Sequence, residues 1–214
     1  MRIRLRESHE DILDEKYLEY FHKNNIKVTH IEFISSGSYS ETYKIVTPKK
    51  EYALNVRDNI SDNLYNLEIH EDLSYTYLPE IYDITKINIK YCVVMELLLP
   101  ISDDKKIAID CINYLFYLDN KSGVDEWLED NLHDDLYGKV VSLIENNPIE
   151  DIPFKERIDD IKWFYENYNS YEELIEEIQS AFQEYYEVFN STYNDFHSGN
   201  LMRNKKGYIK LIDL

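Results

Sequence analysis

Positive charge is scarce in this chain of 214 residues: 23 Lys and Arg stand against 42 Asp and Glu, a formal charge of −19. Nucleic-acid affinity comes largely from Lys and Arg neutralising phosphates, so ordinary DNA or RNA is not an expected partner. Basic partners, cationic small molecules and a DNA-mimicking role stay open. Cysteine is almost absent. Cys92 and Cys111 have no metal-ligand spacing and read as reduced core residues, and a chain of this length buries about 70 % of its unfolded surface without disulfides. Long apolar runs are missing too. The N-terminus reads Met-Arg-Ile-Arg-Leu-Arg and then turns acidic, and runs such as Cys92 to Met95 are too short to cross a bilayer. A soluble, cytoplasmic protein with no membrane partner is the expectation. What the chain does have is 43 % hydrophobic and 14 % aromatic residues, 20 of them Tyr, which excludes a disordered acidic tail.

The hydrophobic pattern divides the chain. Ile12, Leu13, Tyr17, Leu18 and Phe21 form a helical stripe after a capped acidic turn, predicting one helix over Ser8 to Asn24. Short β-type runs follow at Ile31 to Ile34, Thr42 to Val46 and Tyr52 to Val56, separated by Ser-Gly-Ser and Thr-Pro-Lys-Lys turns, which predicts an antiparallel meander. A helix from Ser61 to Tyr75 and strands at Leu78 to Ile84 and Ile87 to Glu96 come next, before Pro100. Thereafter the period is helical, with Ile107, Cys111, Tyr114, Leu115 and Leu118 in one stripe and Tyr171 to Phe189 carrying a longer one. Gly123 to Arg157, acidic and broken by Asn-Asn-Pro, reads as loop or short helices. The expectation is an α+β protein of two lobes, β-rich over residues 1–98 and helical over 99–214.

With five glycines in the chain, their positions inform. Gly37 lies in Ile34-Ser-Ser-Gly-Ser-Tyr-Ser-Glu-Thr-Tyr43, a turn of small residues between two strands, suited either to an ordinary hairpin or to laying backbone N–H groups over phosphates. Gly199 lies in Tyr193-Asn-Asp-Phe-His-Ser-Gly-Asn-Leu-Met202, followed by a hairpin and Ile209-Lys-Leu-Ile-Asp-Leu214. Asp195, Asn200 and Asp213 are spaced so that their oxygens can converge across that hairpin, a hard donor set that suits Mg²⁺.

Asp-Phe-His-Ser-Gly-Asn resembles the catalytic segment of the protein-kinase superfamily, in the form used by its aminoglycoside-kinase and phage-kinase branches. The resemblance implies a bilobal kinase-like fold, with Asp195 as the residue that orients and accepts the hydroxyl proton, His197 near the γ-phosphate, and Asn200 and Asp213 as Mg²⁺ ligands. Tyr193 replaces the family His. In the first lobe, Ser35, Gly37 and Ser40 resemble the glycine-rich loop with two glycines changed to Ser. Tyr52-Ala-Leu-Asn-Val56 resembles the strand reading Val-Ala-Ile-Lys, which makes Ala53 the adenine-pocket floor and puts Asn55 where the phosphate-binding Lys belongs. Asn brings no charge, and Arg57, on the same strand face, is the candidate replacement cation. Glu68, with Glu71 as alternative, falls where the helix C Glu would sit. Val93-Val-Met-Glu-Leu-Leu98 resembles the hinge, with Met95 as gatekeeper and Glu96 and Leu98 as adenine partners.

Roughly a hundred residues separate that hinge from Asp195, which reads as an insertion in the helical half. The sequence ends one residue after Asp213, and by this brevity it resembles the host-shutoff Ser/Thr kinases of podophages, implying a C-lobe truncated after the metal-binding Asp. The resemblance implies an ATP- and Mg²⁺-dependent Ser/Thr protein kinase of phage type, acting in the host cytoplasm on host proteins of basic character. Asn55 raises a second expectation, a pseudokinase that binds and inhibits a host factor. His197 and the acidity raise a third, an aminoglycoside-like small-molecule phosphotransferase.

Overall fold

The computed structural model describes residues 13–37, 39–69, 75–121, 123–147, 149 and 157–212. They form two compact units: residues up to 75 together with 79–98, and residues 76–78 together with 99–212. The class is α+β, a β-rich unit and a largely helical one. Among the described residues no helix is long and apolar enough to cross a membrane.

The first unit begins with a 3₁₀ turn, Glu15–Leu18, capped by the Asp14 carboxylate, which accepts a hydrogen bond from the Lys16 amide at 3.2 Å. It runs into helix α1, Glu19–Lys23; residues 8–12 of the predicted helix lie outside the described residues. Five antiparallel strands follow, β1 His30–Ser36, β2 Ser40–Val46, β3 Glu51–Arg57, β4 Ile81–Ile87 and β5 Lys90–Glu96, in the order β1-β2-β3-β5-β4. Helix α2, Asp62–Ile69, packs on β4; residues 70–74 of the longer predicted helix lie outside the described residues.

Alternation along β3 gives the sheet two chemically distinct faces. Tyr52, Leu54 and Val56 join Tyr43, Ile45, Cys92 and Val94 in a buried cluster covered by Leu18 and Phe21. Phe21 meets Tyr52 edge-on at 5.3 Å, a favoured quadrupole arrangement. Ala53, Asn55 and Arg57 take the opposite face.

The predicted strand at Leu78 to Ile84 is displaced: β4 starts at Ile81 and runs to Ile87, and the turn falls at Asn88, whose left-handed backbone (φ 57°) Asn tolerates better than most residues. Residues 76–78 are not strand because their polar groups are taken by other residues of the second unit, to which they belong. Glu184 accepts from the amides of Thr76, Tyr77 and Leu78 at 2.9, 2.6 and 3.1 Å. The Tyr77 carbonyl accepts from the Leu211 amide at 2.9 Å, and the Leu78 carbonyl from the buried Lys210 ammonium at 2.7 Å. Glu184→Ala leaves three backbone donors without their carboxylate and is expected to lower the unfolding free energy by about 2–3 kcal/mol. Urea denaturation checks this, and an unchanged midpoint would contradict it.

The second unit is built on α3 Asp103–Asn120, α4 Val124–Asn131, α5 Leu136–Asn146, α6 Ile158–Asn167 and α7 Glu172–Phe189. The long segment between residue 98 and Asp195 thus contributes helical core, with Ile109, Ile112 and Phe116 of α3, Val140 of α5, Phe164 of α6 and Ile175 and Ile178 of α7 fully buried. A three-stranded antiparallel sheet, β6 Leu99–Pro100, β7 Leu201–Arg203 and β8 Ile209–Leu211, carries the predicted hairpin. Glu177 of α7 holds it through the Ile209 amide at 2.7 Å and the Arg203 guanidinium at 3.4 Å. Cys92 and Cys111 are free and buried, and burial pushes each thiol up to about 12, so neither is a nucleophile.

Candidate active site

Helix α7 ends at Asn190 in the left-handed conformation (φ 50°), and the chain leaves it in an irregular segment with alternating fates. Tyr193 and Phe196 are buried while Asn194 and Asp195 are exposed. Both aromatic rings rest on Phe182 of α7: Tyr193 stacks at 6.1 Å and Phe196 meets it edge-on at 5.2 Å. Tyr193 also meets Tyr185 at 5.2 Å. With a ring pinned on either side, Asp195 is pushed outward, its side chain 62 % exposed. Tyr193, where the resemblance expects His, thus serves here as an aromatic pin.

The polar geometry follows from the next five residues. The Asn200 amide nitrogen, on a side chain only 8 % exposed, donates to the Asp195 carbonyl at 3.0 Å and to Asp195 Oδ2 at 2.8 Å. Asp195 Oδ1 faces His197 Nε2 at 3.6 Å. On the other side of that ring, Nδ1 accepts from the Gly199 amide at 3.0 Å, which places the proton of the neutral imidazole on Nε2, toward Asp195. The His197 ring can hold this position because residue 199 is glycine: a Cβ there would sit 2.7 Å from His197 Cε1 and 2.9 Å from Nδ1 and push the ring aside. The Asn200 carbonyl accepts from the Ile212 amide at 3.0 Å, joining this loop to the end of the hairpin. Asp213 lies outside the described residues.

Beside Asp195 is a pocket of about 510 Å³ lined by Asp110, Asn113, Tyr114 and Tyr117 of α3, Arg157, and residues 195–198. Sequence reasoning missed Asp110. Its carboxylate accepts from both the Ser198 amide, at 2.9 Å, and the Ser198 hydroxyl, at 3.0 Å. The available signal was a charged residue set among Ile107, Cys111 and Tyr114, on the inward stripe of α3.

Of the nucleotide residues expected in the first unit, Ser35, Ser40, Ala53, Asn55 and Arg57 share one sheet face by register, whereas Glu96 pairs with Tyr52 on the other face. Ser35 pairs with Thr42, Thr42 with Asn55, Ser40 with Arg57, and Ala53 with Met95. Gly37 closes the β1–β2 hairpin, its amide donating to the Ser40 carbonyl at 2.8 Å, and a Cβ there would be in ordinary contact with Ser40, its Oγ at 3.5 Å and its carbonyl oxygen at 4.0 Å. The hairpin itself therefore does not demand glycine. Asn55 donates from its amide to Thr42 Oγ1 at 2.9 Å, and its Oδ1 is buried without a hydrogen-bond partner among the described residues. The Glu96 amide donates to the Glu80 carbonyl at 2.9 Å, Glu96 Oε1 accepts from the Glu80 amide at 3.1 Å, and Leu98 is buried. Glu68 is in α2, its side chain outside the described set.

Asn200 and Asp195 offer hard oxygens of the kind Mg²⁺ takes. Among the described residues no group of three or more His, Cys, Asp or Glu gathers around a metal position, so a cation here would complete its shell with phosphate oxygens and water. The donor chemistry fits that ion.

No family model matches the chain, and no curated protein matches it. Among solved structures it is similar to spectinomycin phosphotransferase APH(9)-Ia in complex with ADP and spectinomycin, with 15 % identity over 95 % of this chain and 69 % of that one, TM-score 0.42. It is also similar to aminoglycoside phosphotransferase APH(4)-Ia, with 14 % identity over 47 % of this chain and 37 % of that one, TM-score 0.35. A thermostable mutant of that enzyme, in a ternary complex with AMP-PNP and hygromycin B, matches at 16 % identity over 47 % of this chain, TM-score 0.35. The matches to APH(4)-Ia cover little more than a third of that protein's length.

Proposed function

We propose that this protein transfers the γ-phosphoryl group of ATP to a hydroxyl. One observation carries the reading: Asp195 is exposed beside a pocket, held at Oδ2 by the buried Asn200 amide, with Oδ1 turned toward His197. A carboxylate fixed at one oxygen and open at the other is suited to orient an entering hydroxyl and take its proton. As the acceptor oxygen bonds to the γ-phosphorus, the bond to the β-phosphate oxygen breaks, ADP leaves, and the proton passes to Asp195. His197 Nε2–H lies beside that carboxylate, where it can donate to a phosphoryl oxygen. Asn200, with Asp213 by resemblance, would hold Mg²⁺, which when bound neutralises phosphate charge. Within the first unit taken by itself, Ala53, Glu96 and Leu98 are by resemblance the adenine residues, and Ser35, Gly37 and Ser40 the phosphate loop. Arg57, on the Asn55 face, would supply the missing cation, since Asn55 is committed to Thr42.

The acceptor we propose is a Ser or Thr hydroxyl in a basic segment of a host protein, as the phage-type resemblance of the Asp195–Asn200 segment implies. The pocket favours a second reading. Its 510 Å³ volume suits a small ligand, and Asp110, Asp195, Tyr114 and Tyr117 give it carboxylates and rings fit for a cationic polyhydroxyl compound. Incubation of the protein with γ-labelled Mg-ATP, a bacterial lysate and separately an aminoglycoside decides between them. Label on lysate proteins supports the first, label on the aminoglycoside alone the second. No transfer to either, with Mg-ATP still bound, would leave a pseudokinase that acts by occupying a host factor.

Gly199→Ala tests the loop. The added Cβ displaces the His197 ring from the Gly199 amide and from Asp195, and turnover is expected to fall by about 10²-fold with ATP affinity retained. Full turnover would show that the ring orientation is irrelevant to the chemistry.

A further inference from the structure

Resting on the phosphotransferase reading, we propose that Asp110 of α3 is the positioning residue of the catalytic loop, holding Ser198 by both its amide and its hydroxyl so that Asp195, His197 and Asn200 keep their register. The loop has no regular structure from Thr192 to Phe196 and only one 3₁₀ turn, Ser198–Asn200, after it. On one side it is fixed by the two aromatic rings on α7. Hydrogen bonds tie the other side to helix α3 through Asp110, 88 residues away in sequence, at 2.9 and 3.0 Å.

A bidentate contact to one residue sets its rotation as well as its position, which a single bond does not. Ser198 lies between His197 and Gly199, the two partners whose mutual hydrogen bond aims the imidazole at Asp195. Rotation of residue 198 would carry both with it. The chemistry of Asp110 argues for a dedicated role, because a half-buried carboxylate on the inward stripe of a helix is costly unless its oxygens are satisfied. Arg157, at 3.9 Å and 61 % exposed, is too distant for a hydrogen bond, so Ser198 is its main partner. Asp110 also lines the pocket, so the test must separate positioning from a charge offered to the acceptor.

The discriminating variant is Asp110→Asn. An amide keeps both contacts, since its Oδ1 accepts from the Ser198 amide and its Nδ2 donates to the Ser198 hydroxyl, while the charge is lost. Asp110→Ala removes everything. Positioning predicts that Asp110→Ala lowers kcat by about 10²-fold, with the KM for ATP changed by no more than about twofold, and that Asp110→Asn recovers most of kcat. Amide exchange over residues 198–200 gives a readout independent of turnover: faster in Asp110→Ala, near wild type in Asp110→Asn. Equal loss of kcat in both variants, with those amides protected in both, would overturn the proposal in favour of an electrostatic role. Full kcat and unaltered exchange in Asp110→Ala would overturn it outright. If the wild-type protein transfers no phosphate, the phosphotransferase reading has failed, and accelerated exchange in Asp110→Ala alone still separates loop positioning from no role.

Discussion

Asp195→Asn is expected to remove phosphoryl transfer, lowering turnover by about 10²–10⁴-fold, the range general-base catalysis supplies. The side chain is 62 % exposed and no part of a core, so the folded state should be left intact. An amide still offers Asn200 an acceptor at the position of Oδ2, so the loop geometry persists while the group that takes the proton is gone. The variant thereby separates chemistry from structure. Steady-state turnover, read beside a thermal melt, checks it. A large fall in turnover with an unchanged melting temperature is the expected pair, and undiminished turnover would remove Asp195 from the mechanism.

Phe182→Ala is expected to have the largest effect on stability. Phe182 is 2 % exposed and lies on the buried stripe of α7, so its removal carries the cavity cost of a lost core aromatic, about 3–5 kcal/mol. The loss should not stop at the core. Tyr193 and Phe196, the two pins of the catalytic loop, both rest on this ring, so turnover should fall in Phe182→Ala even where denaturation curves place the protein in its folded state. Phe182→Leu, which refills most of the volume without the ring, should recover stability more than turnover. Equal recovery of both would show that the loop depends on packing volume and not on the aromatic contacts.

How far the sequence revealed the molecule differs by element. The β1–β2–β3 meander was legible because period-two alternation and turn residues agree there, and α3 and α7 because their apolar stripes are long. Strand β4 was misplaced for a reason no local pattern encodes: residues 76–78 satisfy their backbone through Glu184, Lys210 and Leu211, more than a hundred positions away. The long stretch before Asp195 was legible as extra length, but spacing alone does not show that α4 to α6 bury a core. At the candidate site, Asp195, His197 and Asn200 stood out by motif, and the structure brings those three side chains together within the second unit. Ser35, Ser40, Ala53 and Asn55 were named by resemblance and Arg57 by strand alternation; that they share one sheet face is seen only in the register of the folded strands. The Asn55–Thr42 bond was not legible, since it depends on a side-chain choice between neighbouring strands. Asp110 stayed hidden because its partner, Ser198, is itself a residue with no catalytic signature.

The most direct test of the account is intact-mass analysis of the purified protein and a bacterial lysate after incubation with Mg-ATP, with the wild-type chain and Asp195→Asn in parallel. Phosphate mass added to the protein or to lysate components by the wild type, and absent with Asp195→Asn, is the result the account predicts. Phosphate added equally by both, or by neither to the protein, the lysate components or an added aminoglycoside, would contradict the claim that the Asp195–Asn200 loop is a phosphotransferase site.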